Sequence, residues 1–220
     1  MWGVGVKAAG GINKSVCIIS EAYTWSPHQC TKINWKYVST HEIEKIIRSL
    51  ESKTSSGYDE LSNQVIKLSL LFVISPLTFI CNSVLNSGIF PSRLKYAIVK
   101  PIFKKGSKQD ISNYRPISIL TSFSKTLEKL LFNRLYNHLE TNDILAQEQF
   151  GFRMRHSTEQ AAFSLINSVL TALNNNQLAA GIFCDLQKAF DCVSHRILLD
   201  KLHFYGIHGK FMTNGIISYK

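Results

Sequence analysis

Asp185 stands where an apolar run, residues 178–184, stops abruptly. A buried strand avoids charge, so an aspartate at its end has two uses. It caps the turn that follows, or it binds a cation through hard carboxylate oxygens. That turn carries Ala189-Phe190-Asp191, and Ser194-His195 then opens a helix. Cations stand in three other places. Lys104-Lys105-Gly106 closes a β-type run, Arg115 sits in Asn113-Tyr114-Arg115-Pro116, and Arg153 and Arg155 follow Phe150-Gly151-Phe152. Arginine forks onto two anionic oxygens, whereas lysine acts as a point charge. Aromatic rings beside cations suit a nucleic-acid strand, through phosphate neutralisation and base stacking. Each group has a plainer alternative. Lys104-Lys105-Gly106 also reads as an ordinary charged hairpin tip. Phe150 and Phe152 also read as pins that hold their loop to a core, with only Arg153 exposed.

The bulk charge agrees with an anionic partner. The chain has 220 residues, a net charge of +10 and 45% apolar residues, enough for a buried core. Its pI is about 9.4. From Arg93 to Arg155 there are twelve Lys and Arg against five Asp and Glu, so the excess concentrates in the middle third. That implies nucleic acid, another anionic surface, or only a solvated basic face. The cysteines, Cys17, Cys30, Cys81, Cys184 and Cys192, are odd in number and include no C-x-x-C pair. This argues against a disulfide framework and a zinc ribbon, and His28, Cys30 and His41 fit no standard zinc spacing. Reduced, packing cysteines without a signal-peptide pattern imply an intracellular protein. The most apolar stretch, residues 68–81, is too short for a membrane span and contains Ser75 and Pro76.

These groups need a scaffold. Residues 1–38 show no sustained period, and Gly3, Gly5, Gly10 and Gly11 loosen them, so they read as an irregular leader. Ser39 and Glu42 have capping-box spacing. Ile43, Ile46, Ile47 and Leu50 then form one helical face, ending near Lys53. Ser55-Ser56-Gly57-Tyr58-Asp59 is a turn. A helix follows over residues 61–71, and Ser75-Pro76 starts another that ends at Gly88. Residues 96–103 form a strand, placed at an edge by Pro101, and residues 117–120 form a second. Thr121 or Ser122 opens a long helix with the face Leu127, Leu130, Leu131, Leu135 and Leu139. Ser157 with Gln160 caps a helix burying Ala161, Leu165, Ile166, Val169 and Leu173. Residues 178–185 are a third strand. Ser194 opens a helix that buries Leu198, Leu199 and Leu202 and ends at Gly206. Few strands among many helices, in mixed order, make an α+β fold.

The order Asp185-Leu-Gln-Lys-Ala-Phe190-Asp191-Cys-Val-Ser-His195 resembles the first catalytic motif of reverse transcriptases from non-LTR (LINE-type) retrotransposons. Other blocks resemble the same family in the same order. Ser56-Gly57-Tyr58-Asp59 does so with Ser56 where the family usually has proline. Ile98-Val-Lys-Pro-Ile-Phe-Lys-Lys-Gly106 and Asn113-Tyr-Arg-Pro-Ile-Ser118 come next, then Leu127-Glu-Lys and Asn133-Arg-Leu. Gln149-Phe-Gly-Phe-Arg153 with His156-Ser-Thr-Glu159 completes the set. The blocks lie within residues 40–210.

The resemblance implies a right-hand polymerase, with fingers over about residues 39–175 and the start of the palm over about 176–220. It implies RNA-templated DNA synthesis by two-metal nucleotidyl transfer. By it, Asp185 is catalytic and holds Mg2+ together with the backbone carbonyl of Leu186, while Asp191 is a cap or an outer group. Lys104 and Arg115 meet the dNTP triphosphate. Phe190 lies under the sugar, where a ring excludes a 2′-hydroxyl. Arg153 and Arg155 touch the template. The implied partners are an RNA template, a DNA primer and dNTP, with no membrane, and nuclear location is implied by the resemblance alone. The family completes its metal site with a later Ala-Asp-Asp turn after a Pro-Gln-Gly block. Neither occurs in these residues. The expectation is therefore a domain incomplete at its C-terminus and inactive alone. The alternatives are a non-catalytic remnant that binds RNA or primer–template, and a domesticated interaction protein.

Overall fold

The computed structural model describes residues 31–184 and 192–210, which fall into two compact units. One comprises residues 31–138 with 199–210, and the other residues 139–198.

The larger unit is built around α1 (Thr40–Ser49), α2 (Asn63–Leu68), α3 (Leu70–Ser87) and the first part of α4 (Ser122–Thr141). Ile43, Ile46 and Ile47 recur at helical spacing on α1 and are all buried, as the sequence predicts. They pack with Ile66, Leu70, Leu77, Cys81, Val84, Leu85, Leu127, Leu130 and Leu131. Each such aliphatic side chain contributes roughly 1.5–3 kcal/mol by leaving water. Burial pushes the Cys81 thiol up to about 12, which suits an inert packing group. The capping box of α1 is half formed. The Ser39 hydroxyl accepts from the Glu42 amide at 3.3 Å, but the Glu42 carboxylate turns to Arg134 on α4. The helix stops at Ser49, short of Lys53.

Residues 31–38 form no helix or strand, and Ile33 and Val38 are buried. The Ile33 N–H donates to the Gly206 carbonyl at 2.9 Å, and a side-chain amide holds Val38 where no strand is available. Asn82 on α3 accepts from the Val38 N–H at 2.8 Å and donates to the Val38 carbonyl at 3.0 Å.

The break between α2 and α3 falls at Ser69, not at Ser75-Pro76. The Ser69 hydroxyl donates to the Val65 carbonyl at 3.0 Å, and the Ser69 carbonyl accepts from Phe72 and Val73. Pro76 lies inside α3, where it removes one backbone bond of the ladder. The helix runs on to Gly88, whose φ of 69° gives the expected left-handed stop. At this length α3 is apolar enough to cross a membrane by composition alone, while one side of it carries the core.

Strands β1 (Ala97–Phe103) and β2 (Tyr114–Leu120) form an antiparallel hairpin. The second strand is longer than expected, because Tyr114-Arg115-Pro116 joins the ladder. Pro101 stands opposite Pro116, and a two-stranded ribbon tolerates the missing donors because both strands are edges. On α4 the buried face is Leu127, Leu130, Leu131, Tyr136 and His138, whereas Leu135 and Leu139 are half-buried.

In the smaller unit, α5 (Thr158–Asn174) opens with the complete Ser157–Gln160 capping box. Its expected core face is only partly covered among the described residues, with Ala161, Leu165 and Val169 half-buried. Ile166 and Leu173 are exposed, and Ala172 is the buried position. Residues 178–184 do not form the expected strand, and Leu178, Ile182 and Phe183 are exposed. A strand exists only through its ladder, and among the described residues this segment has a single β-bridge, at Ala179. In α6 (His195–Phe204) no residue is fully buried. Leu198 is exposed, with Leu199 and Leu202 half-buried, so the expected buried face is not observed. Gly206, with φ 84°, ends it as expected.

Candidate nucleotide and nucleic-acid interface

The β1–β2 hairpin carries cations on a rigid, solvated support. Opposed residues in an antiparallel ladder share a face. Ile102 opposes Arg115 and Lys100 opposes Ile117, so Lys100 and Arg115 are diagonal neighbours on one face. Both side chains are exposed, as are Lys104 and Lys105 just beyond β1. Two like charges so placed repel each other modestly, and a bound anion reverses that cost.

The tip is fixed by hydrogen bonds between polar side chains and its own backbone. The Lys104 N–H donates to the Asn113 carbonyl at 2.8 Å, and Asn113 Nδ2 donates to the Ser107 carbonyl at 2.9 Å. Gly106 has φ 95°, and a Cβ there would meet Asn113 Nδ2 at 2.7 Å. Asp110 accepts from the Ser112 N–H at 2.9 Å, and hydrogen bonding from Ser112 holds its carboxyl below the usual range. The Tyr114 hydroxyl donates to the Lys108 carbonyl at 2.9 Å, and its ring meets Phe103 at 5.5 Å. With Asn113 and Asp110 committed to the backbone, no carboxylate among the described residues pairs with Lys100, Lys104 or Arg115.

The root of the hairpin is planted by the Ser56-Gly57-Tyr58-Asp59 turn. Gly57 lies against the backbone of Leu120 and Thr121, so close that a Cβ would meet Thr121 N and Cα at 2.8 Å. The Tyr58 hydroxyl donates to the Arg93 carbonyl at 2.7 Å, and its ring packs edge-on against Tyr96. The Ser122 hydroxyl donates to Asn63 Oδ1 at 2.7 Å, and the Ser124 hydroxyl to the Leu94 carbonyl at 2.7 Å. This block therefore seats the hairpin and α4.

In the smaller unit the loop after α4 holds Arg153 and Arg155 very differently. Arg153 Nε donates to Glu140 Oε1 at 3.1 Å and Nη1 to the Ala146 carbonyl at 2.8 Å, leaving the side chain 10% exposed. Arg155 is exposed, and so is Phe152, at 79%. The Phe150 ring packs on His156 at 5.8 Å. The plainer alternative, with both rings inward and only Arg153 outward, is thus inverted for Phe152 and Arg153.

Asp185, Leu186, Phe190 and Asp191 lie outside the described residues. Among the described residues no cluster of three or more His, Cys, Asp or Glu side chains is placed to hold a metal ion. Lys100 is the cation that sequence reasoning missed. Its signal was the alternation Ile98-x-Lys100-x-Ile102, which becomes informative once Arg115 is known to be in the opposite strand.

Residues 102–219 match the profile of the reverse transcriptase (RNA-dependent DNA polymerase) family. The chain belongs to that family. Within it, the chain is 36% identical over 189 residues to the RNA-directed DNA polymerase from mobile element jockey of Drosophila melanogaster. That alignment covers 86% of this chain and 20% of the relative. It is 35% identical over 186 residues to a probable RNA-directed DNA polymerase from transposon BS of the same fly, covering 81% and 20% respectively. The jockey polymerase of Drosophila funebris is 36% identical over 165 residues, covering 74% and 18%. These residues are a reverse transcriptase domain of the non-LTR retrotransposon type. The chain spans about a fifth of the length of these relatives.

Proposed function

We propose that these residues serve RNA-templated DNA synthesis by two-metal nucleotidyl transfer, with the hairpin receiving the incoming dNTP. The observation that carries this is the pairing of Arg115 with Lys100 on one exposed face, beside Lys104 and above a tip pinned by Asn113. A triphosphate is the polyanion that such a fixed set of cations suits: arginine forks onto oxygens and lysines add point charge. Phe190 excludes the 2′-hydroxyl in this reading, and Arg153 and Arg155 serve the RNA template opposite a DNA primer. The geometry supports unequal roles for these two. Arg155 reaches the phosphates, while Arg153 braces the loop through Glu140.

Reverse transcriptases as a family use divalent metal ions. Mg2+ held by Asp185 and the Leu186 carbonyl would neutralise charge developing at the reacting phosphate. These 220 residues contain no Asp-Asp pair. By themselves they bind nucleotide and template but do not polymerise. A nuclear, intracellular setting goes with this reading.

Two measurements test it. Fluorescent dATP anisotropy should show Lys104→Glu and Arg115→Glu each weakening binding about 3- to 10-fold at low salt. Unchanged affinity in both variants overturns the hairpin assignment. Extension of a primed RNA with Mg2+ and dNTPs should give no incorporation above an Asp185→Ala control. Clear incorporation refutes the inactivity of the 220 residues alone.

A further inference from the structure

Helix α3 packs one side into the core and turns the other to water. Leu77, Cys81, Val84 and Leu85 are buried on the inner side. On the outer side Phe72 and Phe79 are 83% and 74% exposed, and Leu71 stands equally bare. Phe72, Ser75 and Phe79 recur at spacings of three and four residues, which makes a straight ridge along the helix. Beside the ridge runs a trough. A half-open cavity of about 470 Å3 lies between Val73, Pro76 and Ile80 of α3 and Pro91, Leu94 and Phe123 opposite.

The chemistry of this face selects what covers it. None of the 18 residues of α3 is charged, so a charged partner would bury its own charges unpaired. Small-molecule pockets combine apolar walls with a few polar groups that fix orientation, and every wall of this cavity is apolar. A helix that lies in a membrane surface needs a polar, basic face turned to water, whereas the second side of α3 is committed to the core. What remains is an apolar protein surface with a trough for the ridge and a ridge for the trough. The face itself has both, which is the self-complementarity that a two-fold interface requires. Its size also fits. Phe72 and Phe79 expose about 120–200 Å2 each. Leu71, Ile80 and the cavity walls extend the patch toward the roughly 800 Å2 per partner of a specific interface.

We propose that the outer face of α3 is a docking surface for a second copy of this chain, with the two α3 helices antiparallel about a two-fold axis near Ser75. Ser75 lies between Phe72 and Phe79, so that axis sets Phe72 of each copy beside Phe79 of the other, and the small serine lets the backbones approach. Each ridge then lies against the other copy's trough, as ridges fill grooves between packed helices. The attraction is apolar while each chain carries a net charge of +10, so added salt screens the repulsion and tightens the pair. A pair bridged by nucleic acid has the opposite salt dependence.

The test is sedimentation equilibrium of the nuclease-treated 220-residue chain at low and high salt. Wild type should dimerise with a dissociation constant in the micromolar range or tighter, more tightly at high salt. Phe72→Glu and Phe79→Glu should each weaken the dimer at least about 10-fold, with an unchanged urea midpoint and unchanged fluorescent dATP binding. Phe72→Gln and Phe79→Gln carry the same expectation without a charge, so a fold lost in the Glu variants does not remove the readout. The double variant Phe72→Glu/Phe79→Lys should regain part of the affinity, because the antiparallel arrangement faces each Glu with the other copy's Lys. A wild type that stays monomeric to about 100 μM overturns the proposal. So does a dimer that both Gln variants leave intact, or one that dissolves at high salt. A monomer that binds phosphatidylcholine vesicles through Phe72 and Phe79 assigns the face to lipid and overturns it as well.

Discussion

Gly57→Ala should damage this protein far more than its size suggests. The added Cβ would meet Thr121 N and Cα at 2.8 Å and the Leu120 carbonyl carbon at 3.0 Å. All three are backbone atoms at the junction of β2 and α4, so no side chain can swing away. Ordinary contact begins near 3.4 Å, so the turn and the junction must part by about 0.6 Å. Overpacking of this kind costs roughly 1–3 kcal/mol. The shift also stretches the 2.7 Å bond from Ser122 to Asn63, adding about 1 kcal/mol for a buried hydrogen bond. The expected loss is about 2–4 kcal/mol, or a fall of about 1–2 M in the urea midpoint at a slope near 2 kcal/mol/M. Gly151→Ala is the control, since nothing lies within 4 Å of its Cβ position and its φ is not left-handed. That substitution should leave the midpoint unchanged or raise it slightly. Circular dichroism against urea reads both. Midpoints for the two variants within about 0.3 M of each other would refute the close-approach account of Gly57.

Other perturbations separate bracing from binding. Arg134 reaches both Glu42 oxygens, at 2.7 and 2.8 Å, with side chains 15% and 31% exposed, so a double-mutant cycle with alanine should give a coupling of about 1 kcal/mol. A coupling near zero would make it an incidental surface pair. Arg153→Ala should speed trypsin cleavage after Arg155, because the loop loses both the Glu140 and Ala146 anchors, whereas Arg155→Ala should not loosen the loop at Arg153. Lys100→Glu should weaken fluorescent dATP binding about as much as Lys104→Glu, with the effect shrinking at high salt; full affinity would remove Lys100 from the site. Desolvation, His203 and Lys32 together hold the His208 imidazole below its ordinary value, and its buried Nδ1 has no hydrogen-bond partner among the described residues. The unfolded chain therefore takes up this proton first. Stability is full above about pH 6.5 and falls as pH drops through the window down to the lowered native value. His208→Gln should flatten that part of the profile, and an unchanged slope would exclude the group.

Local signals were legible where one physical cause dominates. The α1 face, the Gly88 stop and the Ser157–Gln160 box each follow from a repeat or a cap within a few residues. The break in the 63–87 helices is not legible at Ser69, because Ser75-Pro76 is the stronger local signal. The Ser69 hydroxyl and carbonyl bonds to Val65, Phe72 and Val73 appear only in three dimensions. The faces of α5 and α6 are less buried than their periodicity suggests, for a related reason. Periodicity tells which residues could be buried together, but another surface must arrive to bury them, and among the described residues it does not for Ile166, Leu173 or Leu198.

The site shows a sharper division. Residue types gave the chemistry: cations for phosphate and rings for bases. Direction was hidden, and direction assigns the roles. Arg153 and Arg155 differ by two positions and look interchangeable in sequence, yet one is 10% exposed against Glu140 and the other faces water. Phe150 and Phe152 divide the same way, one against His156 and one outward. An alternation with period two, run through a loop whose backbone turns left-handed at Phe152 and again at Arg155, cannot be projected from the sequence. The motif residues thus form two sets. Gly57, Asn113, Ser122 and Arg153 have their polar atoms or close contacts turned inward and hold the backbone. Lys100, Lys104, Arg115, Phe152 and Arg155 are what that backbone presents. A substitution in the first set should change stability and binding together, and one in the second should change binding alone.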